Sequence, residues 1–218
     1  NKSKIDRLLT LLTKFIENPY YENFVERDLS VVSDYNNIER FLDSFRVWVE
    51  PIKDVTGIDS LIKRFREEHD YKTRDYDELL EENYLFEGLI GHEERDYDLG
   101  NVKDCFVLKT EYIDPIESQK KEASVGFLLI NEVNSMLEIS AIFLEDEFRG
   151  KSYNKKAYSE MLMEKALQKI ERAYQKNILA YVQKGNKGPN HLFDKYGFIR
   201  KSSGRDGYIM YSLDFGKI

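Results

Sequence analysis

The hydrophobic pattern of this chain changes period near residue 104, and the order of elements beyond that point limits the fold more than any other feature. Before it, apolar residues recur at three- and four-residue spacing. Ile5, Leu8, Leu9, Leu12, Phe15 and Ile16 make one helical stripe, which predicts an amphipathic helix over about residues 4–17, ended by Pro19. A second helix is expected near 37–45, started by Ser33 or Asp34, followed by a short extended piece at Arg46–Val49 that Pro51 closes. Ile58, Leu61, Ile62 and Phe65 mark a third helix, and the stretch 75–89, with Leu79, Leu80 and Leu85, a fourth.

Past residue 104 the pattern is that of strands. The runs 105–113, 123–130 and 136–144 are apolar and β-prone, with the turn Asn131–Ser135 suited to a hairpin. A long helix is expected over about 153–174, with Leu162, Met163, Ala166, Ile170 and Ala173 on one stripe. A strand at 177–183, a short helix at 190–196 ended by Gly197, and strands at 198–201 and 208–215 complete the order. It reads three strands, helix, strand, helix, two strands.

Charge and cysteine content exclude several classes. The 33 basic and 40 acidic residues leave a net charge of -7, which disfavours nucleic-acid binding through bulk electrostatics and suits a cationic acceptor better. Cys105 is the only cysteine, so no internal disulfide forms, and a reducing cytoplasmic setting is expected. Its apolar neighbours read as a strand, which makes it a buried thiol rather than a nucleophile. No run approaches the roughly 20 apolar residues of a membrane span. His69, His92 and His191 are scattered without metal-ligand spacing, and no metal is expected.

The chemistry is concentrated between Glu138 and Phe198. At Leu144-Glu-Asp-Glu-Phe-Arg149-Gly150-Lys151-Ser152-Tyr153-Asn154 a strand gives way to a short polar turn and then to the long helix. Such a turn aims backbone N–H groups and the positive end of a helix dipole at one spot, where a phosphate can bind. Gly150 allows close approach and Arg149 and Lys151 add positive charge. Taken alone, many strand–turn–helix units with Arg-Gly bind nothing. The segment Phe148–Asn154 resembles the pyrophosphate loop of the GNAT acetyltransferases, Arg/Gln-x-x-Gly-x-Gly/Ala. The segment Asn186–Phe198 resembles that family's later motif, with Asn186, Leu192, Lys195, Gly197 and Phe198 at matching offsets. Both occur in the family's order, and together they cover about the last 95 residues of the chain.

The resemblance implies a GNAT fold, α/β (α+β): a mixed, mainly antiparallel central sheet flanked by helices, with residues 101–218 as the cofactor-binding core. Residues 1–100 would be an enlarged, mainly helical acceptor-side part or a separate helical domain. It implies acetyl-CoA as acetyl donor, a primary amine of a small molecule or peptide as acceptor, and direct attack without a covalent enzyme intermediate. Backbone groups of Ile142, Phe143 and Leu144 would meet the pantetheine arm. Arg149, Gly150, Lys151, Ser152, Tyr153 and Asn154 would hold the pyrophosphate, and Asn186 and Phe193 would border the arm and thioester. Two departures stand out: Ser152 and Asn154 replace family glycines, and Phe193 replaces a tyrosine that protonates the leaving thiolate. A catalytically weak acyl-CoA-binding or protein-interaction module is the alternative.

Glu138 is the candidate general base. Strand alternation puts it with Ser140, Ile142 and Leu144, while Leu137, Ile139, Ala141 and Phe143 form a second, wholly apolar face. A solvent-facing strand glutamate is an equally weighted reading. A homodimer is the prior for assembly.

Overall fold

The computed structural model describes residues 2–28, 30, 34–53, 55–74, 102–133, 135–174, 176–202 and 207–215. The expectations for a helix at 75–89 and for His92 lie outside them.

Three helices come first: α1 (Lys2–Ile16), α2 (Tyr21–Arg27) and α3 (Tyr35–Ser44). Asp34 caps α3 by accepting a hydrogen bond from the Asn36 amide at 2.9 Å. Then come β1 (Arg46–Ile52), a 3-10 turn at Val55–Ile58, and α4 (Asp59–Arg74). Pro51 does not end β1 as expected. β1 is an edge strand, where a missing N–H breaks no ladder on the open side.

Strands β2 (Val102–Ile113), β3 (Lys120–Val133) and β4 (Met136–Leu144) form a meander. Asn131 lies inside β3, not in the turn, which tightens to the residues before Met136 with Ser135 at φ 66°. After β4 come a 3-10 turn (Asp146–Phe148), the two-residue strands β5 (Ser152–Tyr153) and β6 (Lys156–Ala157), and helix α5 (Tyr158–Ala173). The chain finishes with β7 (Ile178–Gln183), α6 (Lys187–Lys195), β8 (Ile199–Ser202) and β9 (Tyr208–Leu213).

Seven strands make one mixed sheet in the order β1-β2-β3-β4-β7-β9-β8. Every neighbouring pair is antiparallel except β4 and β7, which are parallel. β1 pairs with β2 over seven positions, from Arg46↔Glu111 to Ile52↔Cys105, so the sheet takes its first strand from the segment before residue 100.

Two apolar clusters cover the two faces. On one, Leu61 and Ile62 of α4 meet Cys105, Val107, Phe127, Leu129, Ala141 and Phe143. On the other, Leu162, Met163, Ala166 and Ile170 of α5 meet Phe106, Leu108, Leu128, Ile130, Leu137, Ile139 and Leu144. Cys105 is 1% exposed, and burial pushes its thiol up to about 12, which makes it an inert core group as expected.

The N-terminal helices dock beside α5 through an aromatic cluster. Phe41 lies 4.9 Å from Phe24, 5.7 Å from Phe15 and 5.4 Å from Tyr112 of β2. Hydrogen bonds fix the seam: Tyr20 Oη to Thr110 Oγ1 at 2.7 Å, and the Ile113 amide to Ser44 Oγ at 2.8 Å. Only part of the stripe expected on α1 is buried. Phe15 is buried and Leu11 and Leu12 are half-buried, whereas Ile5, Leu9 and Ile16 are more than half exposed, because the aromatic cluster turns Phe15 inward.

Candidate active site

β4 and β7 pair at only three positions: Leu137↔Ile178, Glu138↔Leu179 and Ile139↔Ala180. Beyond them β4 continues to Leu144 and β7 to Gln183 without laddering to each other. The strands therefore splay, and β4 from Ser140 to Leu144 presents an edge to a cleft. In the chain the 3-10 turn and the β5–β6 hairpin separate β4 from α5, while α6 follows β7 directly, so one helix N-terminus stands at the carboxyl end of β7. In an open α/β sheet this is where ligands bind.

The splay coincides with an irregularity in β4. Leu129 pairs with Ala141 and Ile130 with Ile139, leaving Ser140 as an extra residue. This bulge overturns the expected single apolar face. Leu137 and Ile139 pack toward α5, and past the bulge Ala141 and Phe143 pack toward α4, with Ile142 and Leu144 on the α5 side. Alternating with Leu137 and Ile139, Glu138 lies on the α4 face. Its cross-strand partner there is Asn131 of β3.

Side chains of Ile142, Phe143 and Leu144 are committed to packing. The Phe143 ring sits 5.6 Å from Phe127 and 6.0 Å from Phe65. Only the backbone of these residues is left for the cleft. β3 approaches this segment closely at Gly126, where a Cβ would lie 2.6 Å from Leu144 Cδ2 and 2.7 Å from the Phe143 carbonyl oxygen.

The long helix begins at Tyr158, not at Tyr153 as expected. Residues 152–157 fold instead into the β5–β6 hairpin, whose central residues Asn154 (φ 50°) and Lys155 (φ 66°) are both left-handed, as in a type I′ turn. Helical propensity loses to this local turn chemistry. Gly150 has φ 71°, the conformation that glycine tolerates best. The Tyr158 amide reaches back to the Lys151 carbonyl at 3.4 Å. Tyr153 turns away from the cleft: its hydroxyl donates to the Phe45 carbonyl at 3.2 Å and its ring meets Phe45 edge-on at 5.7 Å. On that side the hairpin borders a cavity of about 950 Å³ shared with α1 and α3, lined among others by Lys14, Asp43, Arg46 and Lys155.

Arg149 is held by protein groups on every nitrogen. Nη2 donates to both carboxylate oxygens of Glu68 at 2.7 Å, Nη1 lies 2.6 Å from Asp146 Oδ1, and Nε donates to the Leu144 carbonyl at 2.8 Å. The guanidinium also sits 5.3 Å from the Phe143 ring centroid. Glu68 is 81 residues away in sequence, and no local signal could have revealed it.

At the α6 side, Asn186 is exposed at the N-cap position and its side chain makes no capping bond. The residue that ties this helix start down is Asn190, which sequence reasoning passed over. It is 7% exposed, its amide donates to the Gln183 carbonyl at 3.0 Å and the Asn186 carbonyl at 2.6 Å, and its Oδ1 accepts from the Tyr211 hydroxyl at 2.9 Å. Its place one helical turn after Asn186, on the same helix as Leu192 and Phe193, was the available clue. Phe193 is 2% exposed, 4.9 Å from Phe198 and 5.2 Å from Tyr211. Tyr196 cannot readily stand in for a missing hydroxyl. It donates to Glu164 Oε1 at 3.1 Å, and burial first, then that bond, push its phenol above the ordinary value.

Among the described residues, no group of three or more His, Cys, Asp or Glu could hold a metal, and no helix is long and apolar enough to cross a membrane.

No family model matches the chain, and no curated protein matches it. Solved structures do resemble it. One is the PaiA N-acetyltransferase of Thermoplasma acidophilum in complex with coenzyme A: 16% identity, 76% of this chain and 98% of that one, TM-score 0.48. Another is a GNAT family acetyltransferase of Elizabethkingia anophelis with acetyl-CoA bound: 12% identity, 77% and 97%, TM-score 0.48. A third is Arabidopsis thaliana Naa50 with a bisubstrate analogue: 12% identity, 77% and 98%, TM-score 0.46.

Proposed function

We propose that this chain is a GNAT-type N-acetyltransferase that moves an acetyl group from acetyl-CoA to a primary amine by direct attack. The observation that carries the reading is the splay of β4 from β7 after Ile139↔Ala180, which leaves the edge of β4 from Ser140 to Leu144 unpaired on that side. The two sequence motifs follow these strands in the chain, Phe148–Asn154 after β4 and Asn186–Phe198 after β7.

In this reading the pantetheine arm lies along β4 from Ser140 to Leu144 and takes the place of a neighbouring strand. Backbone amides there polarise the thioester carbonyl and stabilise the tetrahedral oxyanion. The pyrophosphate rests on the backbone from Gly150 to Asn154, with Lys151 as the nearby cation. Arg149 is paired with Glu68 and Asp146 beside the loop, so its charge reaches the phosphates partly neutralised. Glu138 removes a proton from the acceptor ammonium, directly or through water, and the neutral amine attacks. The departing thiolate takes its proton from water or from the amine.

Calorimetric titration with acetyl-CoA, with CoA as control, tests this. Saturable binding that is weakened in Gly150→Val supports the cofactor site. CoA release on adding amines, abolished in Glu138→Gln, supports the chemistry. No binding at about 1 mM acetyl-CoA, the range of very weak complexes, overturns the reading.

A second reading has its own observation. Phe193 is buried among aromatic rings and the Tyr196 hydroxyl is tied to Glu164, so neither supplies an acid at the cleft. A module that binds acyl-CoA without turning it over would show binding in the same titration and no CoA release with any amine.

A further inference from the structure

Asn131 Oδ1 is the one buried side-chain oxygen or nitrogen without a hydrogen-bond partner among the described residues. Buried polar atoms are nearly always paired, because desolvating a carbonyl oxygen without replacing its water costs free energy. An unpaired acceptor in the middle of a sheet therefore needs an explanation.

Its position supplies one. Asn131 pairs with Val102 of β2 on one side and with Glu138 of β4 on the other. Leu129 packs in the α4 cluster, so Asn131, two residues on, shares the α4 face. Glu138 lies on that face too. Directly opposed residues of antiparallel strands have Cα atoms about 5 Å apart, so the two side chains are immediate neighbours. Both stand next to the point where β4 bulges at Ser140 and leaves β7. The Glu138 carboxylate accepts hydrogen bonds and the orphaned Asn131 amide oxygen accepts one more, beside the donors of the Asn131 amide nitrogen. Two acceptors on one spot select a group rich in N–H donors.

We propose that Asn131 recognises the acceptor amine, its Oδ1 taking a hydrogen bond from the incoming primary ammonium while Glu138 takes the proton. The inference rests on the acetyl-transfer reading and adds to it a residue that orients the acceptor nitrogen. The ammonium gives one proton to the Glu138 carboxylate, which becomes the acid. One of the two remaining N–H bonds stays on Asn131 Oδ1, so the lone pair is turned toward the thioester carbon. The N–C bond forms and the C–S bond breaks. The second proton on nitrogen leaves with the thiolate as CoA-SH, and Glu138 returns its proton to solvent. A tertiary amine has one N–H as a cation and cannot both lose it and keep the Asn131 bond.

The test uses the full chain and the variants Asn131→Leu, of similar size without an acceptor, and Asn131→Asp, which keeps a carboxyl oxygen at the same place. Acetyl-CoA affinity is read by calorimetry, and KM and kcat by CoA release with a primary alkylamine. Asn131→Leu is expected to raise the KM for the primary amine about tenfold, the loss of one hydrogen bond to a charged group, with acetyl-CoA affinity unchanged within about twofold. Asn131→Asp is expected to restore the KM. Removing an unpaired acceptor should not lower the thermal midpoint; should the Leu variant nevertheless misfold, Asn131→Ala takes its place, where a raised primary-amine KM supports the proposal and an unchanged one overturns it. A folded Asn131→Leu with an unchanged KM overturns the role of Asn131 while leaving the acetyl-transfer reading intact. Wild-type protein that binds no acetyl-CoA, or acetylates no amine, overturns both.

Discussion

Glu68 and Arg149 form a two-pronged ion pair, with Arg149 Nη2 2.7 Å from each carboxylate oxygen, and it joins α4 to the loop that follows β4. A second ion pair, Arg64 with Glu145, runs alongside it between the same two elements. The pair puts a carboxylate on the arginine that sequence reasoning assigned to phosphate. Glu68→Gln is expected to tighten acetyl-CoA binding about threefold, since a negative charge leaves the neighbourhood of the pyrophosphate and Arg149 is released from it. Both side chains are about one-third exposed, so the stability loss should stay below about 1 kcal/mol. Calorimetry of the variant beside the parent decides this. Weaker binding would mean that the clamp matters for the shape of the loop and not for its charge.

Gly126 is where β3 lets β4 come close. In Gly126→Ala the new Cβ meets the Phe143 carbonyl at 2.7 Å, and a backbone atom cannot move aside as a side chain can. We expect a loss of about 2 kcal/mol, typical of overpacking, in a denaturant titration. The backbone of Phe143 and Leu144 is displaced with it, so acetyl-CoA affinity should fall as well.

Lys155 holds φ 66° at the tip of the β5–β6 hairpin, a conformation that crowds its Cβ. Lys155→Gly removes that strain and should raise stability by about 1 kcal/mol despite the greater freedom glycine has in the unfolded chain. A lower thermal midpoint would show that the Lys155 side chain contributes more than its backbone conformation costs.

The Asp114 carboxylate is fully buried and lies 2.7 Å from Arg27. Burial alone would raise its pKa, but the Arg27 bond and the amides of Glu117 and Ile116 outweigh that and hold it below the ordinary value of 3.8. A carboxylate depressed in the folded state stabilises fully above its unfolded pKa and loses that contribution as pH falls through the folded one. Acid unfolding of the parent should therefore steepen below about pH 4, the ordinary carboxylate range. Arg27→Met should cost about 2 kcal/mol at neutral pH, less than a fully buried pair because Arg27 is 39% exposed. Its stability should also depend less on pH in the acid range, as pH-dependent calorimetry can show.

Much of this protein was legible before any coordinates. Periodicities of two and of 3.6 residues located α1, β2, β4, α5 and β7, because each is long enough for its buried positions to repeat. Asp34 announced the start of α3 through a local bond to its own chain. The spacing from Asn186 to Phe198 pointed to the short helix α6 and the left-handed Gly197 that follows it.

Tertiary structure decided the rest, where the deciding partner is distant in sequence. The register of β3 on β4 leaves Ser140 over and so divides Leu137 and Ile139 from Ala141 and Phe143, which periodicity alone put on one face. Arg149 has the composition of a phosphate ligand, yet Glu68 on another helix takes its donors. Leu144 to Tyr158 reads as strand, turn and helix, and only the paired left-handed residues 154 and 155 show that a hairpin intervenes. Sequence fixes which residues repeat on a face within one element. Which elements share that face, and which polar atoms find partners on it, depends on contacts between segments that no local pattern encodes.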